Sequence, residues 1–362
     1  MKINIQITKQ TATYPVIIGQ GTMSTINAVV EKMQPSAAFV ITDSHVAPLY
    51  LATLIQKLDR LKLPVHWYVF PAGEINKNLS TVQKIYLELV KKVVDRSGLI
   101  INLGGGVTTD LGGFTAATYL RSIPYINIPT SFEAMVDAAI GGKVGVDFND
   151  LKNYVGLFYH PQAVIIDIDT LQTLSKRAFL QGFAEVIKHG LILDRPYFQL
   201  VTSKKPLDFT PRQLEKIVSG SIRLKAAIIK TDPQETKGKR KLLNFGHTIG
   251  HAVESLSLQT RKPLFHGEAV AVGMVAEAKI SELLGMIDNQ EFQIIEKSIN
   301  KADLPIRANN DSKRAIWQLI KTDKKNSGGK INWTLLQRIG KAVYNQPVAD
   351  QLVNKAIDFI KG

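Results

Sequence analysis

Apolar and polar positions follow two rhythms along this chain. Over residues 37–43 (AAFVITD), 65–70 (VHWYVF), 98–106 (GLIINLGGG), 125–130 (YINIPT) and 163–169 (AVIIDID), short apolar runs end in turn-forming residues and predict strands. Between them IYLELVKKVV (85–94) carries the 3.6-residue period of a helix. The N-terminal MKINIQITKQ alternates as a strand does and lacks the continuous apolar core of a signal peptide. Strands alternating with helices predict an open, largely parallel sheet covered on both faces, with ligands beyond the strands' carboxyl ends. After residue 169 the strand rhythm fades, and helical patterns dominate through 182–194, 221–230, 266–281 and a final amphipathic segment. A boundary near 170–180 follows: an α/β domain over 1–175 and a mostly α-helical domain over 176–362.

Composition narrows the function classes. The absence of Cys excludes disulfides, cysteine–zinc sites, iron–sulfur clusters and a thiol nucleophile, and suits a reducing compartment. No apolar run reaches the length needed to span a bilayer, so the chain is expected to be soluble and cytoplasmic, with no membrane partner. The net charge of +14 is spread along the whole chain, with only short runs such as KGKRK at 237–241. An anionic small substrate or a basic surface explains that excess; a nucleic-acid protein would concentrate it with interleaved aromatics.

Three loops fall at the expected carboxyl edge of the sheet. GGGVTTDLGGF (104–114) follows a strand and opens an apolar helix, an arrangement that brings backbone N–H groups close to a phosphate, although it is not the G-x-G-x-x-G fingerprint. TDSHVAPLY (42–50) places Asp43 at a strand end, where a ribose hydroxyl is often bound, and PAGEINK (71–77) supplies Glu74 and Lys77. Together they favour a dinucleotide pocket. Downstream, Gly141-Gly142 leads into Lys143, and Lys152-Asn153 ends a loop; lysine beside bare backbone suits an anion or plain exposure.

The densest chemistry is KRKLLNFGHTIGHAVE, 239–254. On one continuous helix Arg240, Asn244, His247 and His251 would share an arc of roughly 60°, opposite Leu242, Phe245, Ile249 and Val253. His247 and His251 have the HxxxH spacing of zinc proteases, but Thr248 stands where their glutamate belongs. GFAEVIKHGLILD (182–194) adds Glu185 and Lys188, readable as a surface ion pair or as a metal carboxylate with a cation beside it, and His266 opens HGEAVAVGM. One carboxylate and two imidazoles with an open position is the pattern of catalytic zinc, and spacing alone leaves open which two histidines ligate. Lys225 lies in an otherwise apolar stretch, and TDKKNSGGK (322–330) supplies Lys324 and Lys325.

These motifs resemble the 3-dehydroquinate synthase family of sugar-phosphate cyclases, through TDSHV, GExxK, GGGVxxDxxGFxAATYxR, VDAxIGGK, LKN, AEVIKxG, LNFGHTxGHAxE, HGEAVAxGM and DKK. The resemblance implies a Rossmann-like nucleotide-binding N-terminal domain, a helical C-terminal domain and an active site in the cleft between them. It implies a metal, Zn2+ or Co2+, on Glu185, His247 and His266, leaving His251 to act on the substrate. It implies NAD on Asp43, Glu74, Lys77, Gly105, Gly106, Val107, Asp110, Thr130, Ser131, Asp137, Lys152 and Thr173. Substrate contacts would be Lys143, Asn153, Lys188, Lys225, Arg240, Asn244, His251 and one of Lys324 and Lys325, with Arg121 reaching the neighbouring subunit's phosphate site in a homodimer. The implied substrate is a sugar-acid phosphate, 3-deoxy-D-arabino-heptulosonate 7-phosphate. Transient oxidation by NAD, phosphate elimination, re-reduction and aldol closure would give 3-dehydroquinate.

Five positions depart from the family pattern: His45, Glu133 after Pro129-Thr130-Ser131-Phe132, Val144 for a hydroxyl residue, Ala178 for a glutamate, and one extra residue between Asp232 and Arg240. They bear on the cofactor side; the metal set is intact. Sister cyclases making 2-deoxy-scyllo-inosose or a valiolone tend to lose the second histidine, which is kept here as His251. A metal-dependent polyol dehydrogenase of the same fold would release NADH, and a degenerate binding paralogue would release no phosphate.

Overall fold

The structure, a computed structural model, describes residues 13–149, 151–258, 260–308, 312–322 and 331–361. The strand expected over 1–10, and Lys324 and Lys325, lie outside the described residues. The chain divides into two compact units. The first takes residues up to Ile18, Thr22–Pro129 and Gly142–Asp167; the second takes Gly19–Gly21, Thr130–Gly141 and everything from Ile168. The chain therefore passes between units several times, and Thr130, Ser131 and Asp137 fall in the second, which a single boundary in the sequence does not express.

The first unit is built on β1 (Val16–Gly19), α1 (Ile26–Met33), β2 (Ala38–Asp43), α2 (Ala52–Leu58), β3 (Val65–Phe70), α3 (Leu79–Lys91), β4 (Leu99–Gly104), α4 (Gly106–Thr118), β5 (Tyr125–Pro129), the strands β6 (Lys143–Phe148) and β7 (Leu151–Phe158), and β8 (Ala163–Asp167). Six strands form one sheet in the order β1-β8-β5-β4-β2-β3, and the pairings β5–β8, β4–β5, β2–β4 and β2–β3 are parallel. The two-residue period of a strand sends alternate side chains to opposite faces. Phe39, Ile41, Ile100 and Tyr125 meet α3 and α4 through Val82, Ile85, Leu89, Leu111 and Phe114. Their neighbours Ala38, Val40, Leu99, Ile101, Ile126 and Ile128 meet α1 and α2 through Ile26, Val30, Leu54 and Leu58. Each large side chain so buried contributes roughly 1.5–3 kcal/mol. Registers Asp43↔Phe70, Thr42↔Leu103 and Gly104↔Pro129 bring the carboxyl ends of these strands to one edge.

Residues 143–148 and 151–153, read from the sequence as part of a loop, instead lie on the antiparallel strands β6 and β7. Val144 and Val146 bury themselves in the cluster beside α4, and Gly145 pairs with Gly156 where side chains would not fit.

The second unit contains α5 (Lys176–Leu193), α6 (Arg195–Thr202), α7 (Pro211–Thr231), α8 (His247–Ser257), α9 (His266–Leu283), α10 (Asn289–Lys301), α11 (Lys313–Thr322), the antiparallel strands β9 (Trp333–Arg338) and β10 (Lys341–Gln346), and α12 (Asp350–Lys361). Helix α9 is buried over most of its circumference and packs against α5, α8, α10 and α12. Its small residues allow that crowding. A Cβ on Gly273 would lie 1.9 Å from Gly246 O of the α8 turn, and one on Gly267 would lie 1.8 Å from Gln181 O of α5. Among the described residues no helix is long and apolar enough to cross a membrane.

One expected element is not continuous. Arg240 and Asn244 lie on a separate 3₁₀ turn, Lys239–Asn244, and α8 begins only at His247. Gly246, at φ +80°, takes the left-handed conformation that breaks the helix. The single polar arc of four side chains therefore does not exist, and only His247 and His251 share a helix.

Candidate active site

In the first unit the loops at the strand ends hold most of the residues expected to face a dinucleotide. Asp43 Oδ1 accepts the backbone N–H groups of His45 (2.9 Å) and Val46 (3.1 Å), and Oδ2 accepts Thr108 Oγ1 at 3.2 Å. Gly105 stands at the cap of α4 with extended backbone, and Gly106 and Val107 open its first turn, where N–H groups lack helical acceptors. Lys77, 3% exposed, donates to Asp110 Oδ2 at 2.6 Å and stands 3.8 Å from Glu74 Oε1. Burial would depress this ammonium, but Asp110 and then Glu74 hold it above the ordinary lysine value. Glu74, Lys77 and Asp110 thus form one charged group around a buried ammonium.

Lys143, Lys152 and Asn153 are exposed on the β6–β7 hairpin; Asn153 has φ +51° and donates its N–H to Asp147 Oδ1 at 2.7 Å. Arg121 is exposed in a turn where Leu120, Arg121 and Ser122 all have positive φ (50°, 68° and 100°). Three such non-glycine residues in a row store backbone strain, which clusters at functional sites. Val144 does not face a ligand edge: its side chain packs in the sheet cluster, so the lost hydroxyl is absorbed by the core.

In the second unit three imidazoles gather. Ring centroids are 5.2 Å apart for His247–His251, 5.3 Å for His247–His266 and 5.7 Å for His251–His266, and one nitrogen from each lies within 4.8 Å of the others. His247 has Nδ1 at 3.2 Å from Phe245 O, and His266 has Nδ1 at 3.1 Å from Glu254 Oε2. In both rings Nδ1 is thus engaged with an acceptor. Glu185 Oε1 is 3.8 Å from His247 Nε2. Its other oxygen is in ionic contact with Lys188, both side chains being 2% exposed, so a surface ion pair is ruled out. Neither oxygen of Glu185 accepts a hydrogen bond of proper geometry among the described residues. A buried carboxylate in ionic contact but without hydrogen-bond donors, next to converging imidazole nitrogens, fits a divalent ion of zinc or cobalt type.

Around this cluster lies a second charged group. Asp137, on a widened helical turn at Ala134–Ala138, pairs with Lys225 at 2.7 Å. Burial would raise the Asp137 carboxyl, but Lys225, with Lys188 and His189 behind it, holds it well below the usual carboxylate range. Burial pulls the Lys225 ammonium down, although Asp137 partly restores it. His189 bonds Ser221 Oγ through Nδ1 at 2.6 Å; burial first and Lys188 next lower it to about 3, so it is neutral. Asp137, Glu185 and His189 also lie close enough to surround an ion, but Lys225 already neutralises Asp137. Arg240, 2% exposed, donates to Pro233 O at 3.1 Å. Asn244 is half-buried on the same turn, Thr130 is buried, Ser131 Oγ accepts Ala134 N at 3.3 Å, and Thr173 is exposed.

Two carboxylates, Glu277 and Glu254, escaped the sequence reading. Glu277, fully buried on α9, accepts Gly246 N (2.6 Å), Thr248 N (3.0 Å) and Ile249 N (3.3 Å), and so caps the helix that carries His247. A glutamate inside the apolar run AVAVGMVAEA was its only signal. Glu254 reaches His266, and Glu133 accepts Gln181 Nε2 at 3.0 Å. Burial raises Glu133, while His266 opposes that rise. His266 itself would be lowered by burial, but the hydrogen bond to Glu254 and the charges of Glu133, Glu254 and Glu185 raise it to about 9.

Comparison with known proteins gives this arrangement its relatives. Residues 67–181 match the model of the 3-dehydroquinate synthase N-terminal domain, and residues 182–326 that of the C-terminal domain. A 3-dehydroquinate synthase of Symbiobacterium thermophilum is 37% identical over 354 residues, covering 96% of this chain and 98% of the relative. Among solved structures, a 2-deoxy-scyllo-inosose synthase complexed with carbaglucose-6-phosphate, NAD+ and Co2+ superposes with TM-score 0.85 at 28% identity, over 94% of this chain and 95% of that one. The 2-epi-5-epi-valiolone synthase of Streptomyces hygroscopicus subsp. jinggangensis, with NAD+ and Zn2+ bound, gives TM-score 0.89 at 25% identity over 99% of each chain. Both domain models in sequence order, and identity along nearly the full length of a relative, mean that the chain belongs to the 3-dehydroquinate synthase family.

Proposed function

We propose that the chain converts 3-deoxy-D-arabino-heptulosonate 7-phosphate to 3-dehydroquinate and phosphate, as a cytoplasmic homodimer using NAD and Zn2+ or Co2+. The observation that carries this reading is the buried Glu185 carboxylate 3.8 Å from His247 Nε2, where His247, His251 and His266 converge. When bound, NAD supplies a reversible hydride acceptor and the ion a Lewis acid for a substrate hydroxyl.

Glu185, His247 and His266 are the residues proposed to hold the ion, with His251 left to move a proton on the substrate. Asp43, Glu74, Lys77, Gly105, Gly106, Val107, Asp110 and Lys152 of the first unit, and Thr130, Ser131, Asp137 and Thr173 of the second, are proposed to hold the dinucleotide. Lys188, Lys225, Arg240 and Asn244, with Lys143, Asn153 and one of Lys324 and Lys325, match a substrate that carries both a carboxylate and a phosphate. Arg121 is assigned to a partner subunit's phosphate site.

Incubation of the protein with the heptulosonate phosphate, a catalytic amount of NAD and Zn2+ or Co2+ tests this. One phosphate and one 3-dehydroquinate per substrate, without accumulating NADH, is the expected result, and a chelator should stop it until metal is restored. Net NADH would assign a polyol dehydrogenase. Phosphate release from a different sugar phosphate alone would assign a sister cyclase, and no turnover of any of these would leave a binding paralogue.

A further inference from the structure

His266 is the first residue of α9, where a side chain has few neighbours from its own helix to fix its rotamer. Something outside that helix must set the ring. The α8–α9 crossing supplies it: the bare backbone at Gly273 lets the helices approach, and Glu254, 5% exposed on α8, reaches across to His266. Its Oε2 lies 3.1 Å from Nδ1. Nδ1–H donated to a carboxylate fixes the tautomer and leaves the Nε2 lone pair directed elsewhere.

The two imidazoles expected to ligate are therefore not equivalent. His247 rests on a neutral backbone carbonyl, Phe245 O, at 3.2 Å, and His266 rests on a buried carboxylate. A carboxylate partner makes the opposite nitrogen the stronger electron donor, and a carbonyl does so only weakly. A buried carboxylate needs a hydrogen-bonding or charged partner, and His266 supplies one at 3.1 Å.

We propose that Glu254 is the positioning residue for His266, holding the ring through Nδ1 so that Nε2 is delivered to the divalent ion. This rests on the metal assignment above. The competing explanation is an ion pair that merely fastens α8 to α9, and it predicts loss of stability without loss of metal affinity.

The test measures Zn2+ affinity of the full chain by competition with a chromophoric chelator, the visible spectrum of the Co2+ form, and thermal stability without metal. Glu254→Leu is expected to weaken Zn2+ binding about 10–100-fold and to shift the Co2+ spectrum. Glu254→Gln keeps an oxygen for Nδ1–H and should lose only a few-fold. Should the leucine variant not fold, Glu254→Asp withdraws the carboxylate by one methylene and must bind Zn2+ more weakly than Glu254→Gln. Native Zn2+ affinity and an unshifted Co2+ spectrum in the leucine variant, or equal affinity in the aspartate and glutamine variants, overturn the proposal. His266→Ala separates the two levels: if it binds Zn2+ as the native chain does, the metal assignment itself fails and takes the proposal with it.

Discussion

Lys225 Nζ stands 2.7 Å from Asp137 Oδ1, and the two side chains differ in exposure, 5% for the lysine against 35% for the aspartate. Removing one partner of a buried pair leaves the other charge uncompensated, and the cost depends on how well water reaches it. Asp137→Asn strands the lysine and is expected to cost roughly 3 kcal/mol. Lys225→Met leaves a carboxylate that water can reach, and should cost clearly less. Urea unfolding of both variants measures the difference. In mild alkali the stranded Lys225 can release its proton, so the Asp137→Asn penalty should shrink; equal penalties at every pH would contradict the asymmetry.

His189 gives a pH dependence of definite sign. Burial and Lys188 lower its pKa to about 3, whereas an unfolded imidazole titrates near 6.5. Its contribution to stability is complete above about pH 6.5 and is lost as pH falls toward 3, at about 1.4 kcal/mol per pH unit. The variant His189→Gln should show a stability–pH slope smaller by one proton between about pH 6 and 4. An unchanged slope would mean that the imidazole is not held neutral.

Glu277 receives three backbone N–H groups at the start of α8. In Glu277→Leu those donors are buried without an acceptor, with an expected loss of roughly 3 kcal/mol or more. Glu277→Gln retains one acceptor oxygen and should lose about half as much. Denaturant midpoints decide this, and parity of the two variants would show that the cap carries little of the stability.

Gly273 lies where α9 meets the turn before α8, and a Cβ there would be 1.9 Å from Gly246 O. Gly273→Ala forces the helices apart, at a cost of about 2–3 kcal/mol by overpacking. The same displacement moves His247 relative to His266, so Zn2+ affinity should fall with stability. A variant as stable as the native chain would refute the close crossing.

Much of the fold was legible because its strands are unusual in a local way. The apolar runs at 37–43, 65–70, 98–106, 125–130 and 163–169 correspond to β2, β3, β4, β5 and β8; β2, β4, β5 and β8 are buried on both faces and so read as continuous apolar segments, whereas the edge strand β3 keeps Trp67 and Val69 exposed. The β6–β7 hairpin was not legible, because Val144 and Val146 become core only against α4. The helix expected from Arg240 failed at Gly246, where a close approach to α9 required the left-handed conformation.

For the site, the chain alone determined which chemical groups are available: Glu185, His247, His251 and His266 stood out because ionisable residues are rare in such apolar helices. Their partners did not, because nothing along the chain pairs Glu254, Glu277 and His189 with the groups they meet until helices cross. Which nitrogen of His266 is engaged, which carboxylate meets Lys225 and which N–H groups Glu277 receives are set by distances between residues 12 to 88 positions apart. Local sequence fixes what a side chain can donate or accept. Only the packing of helices decides to whom, because hydrogen bonds and ion pairs act over a few ångströms of space and not along the chain.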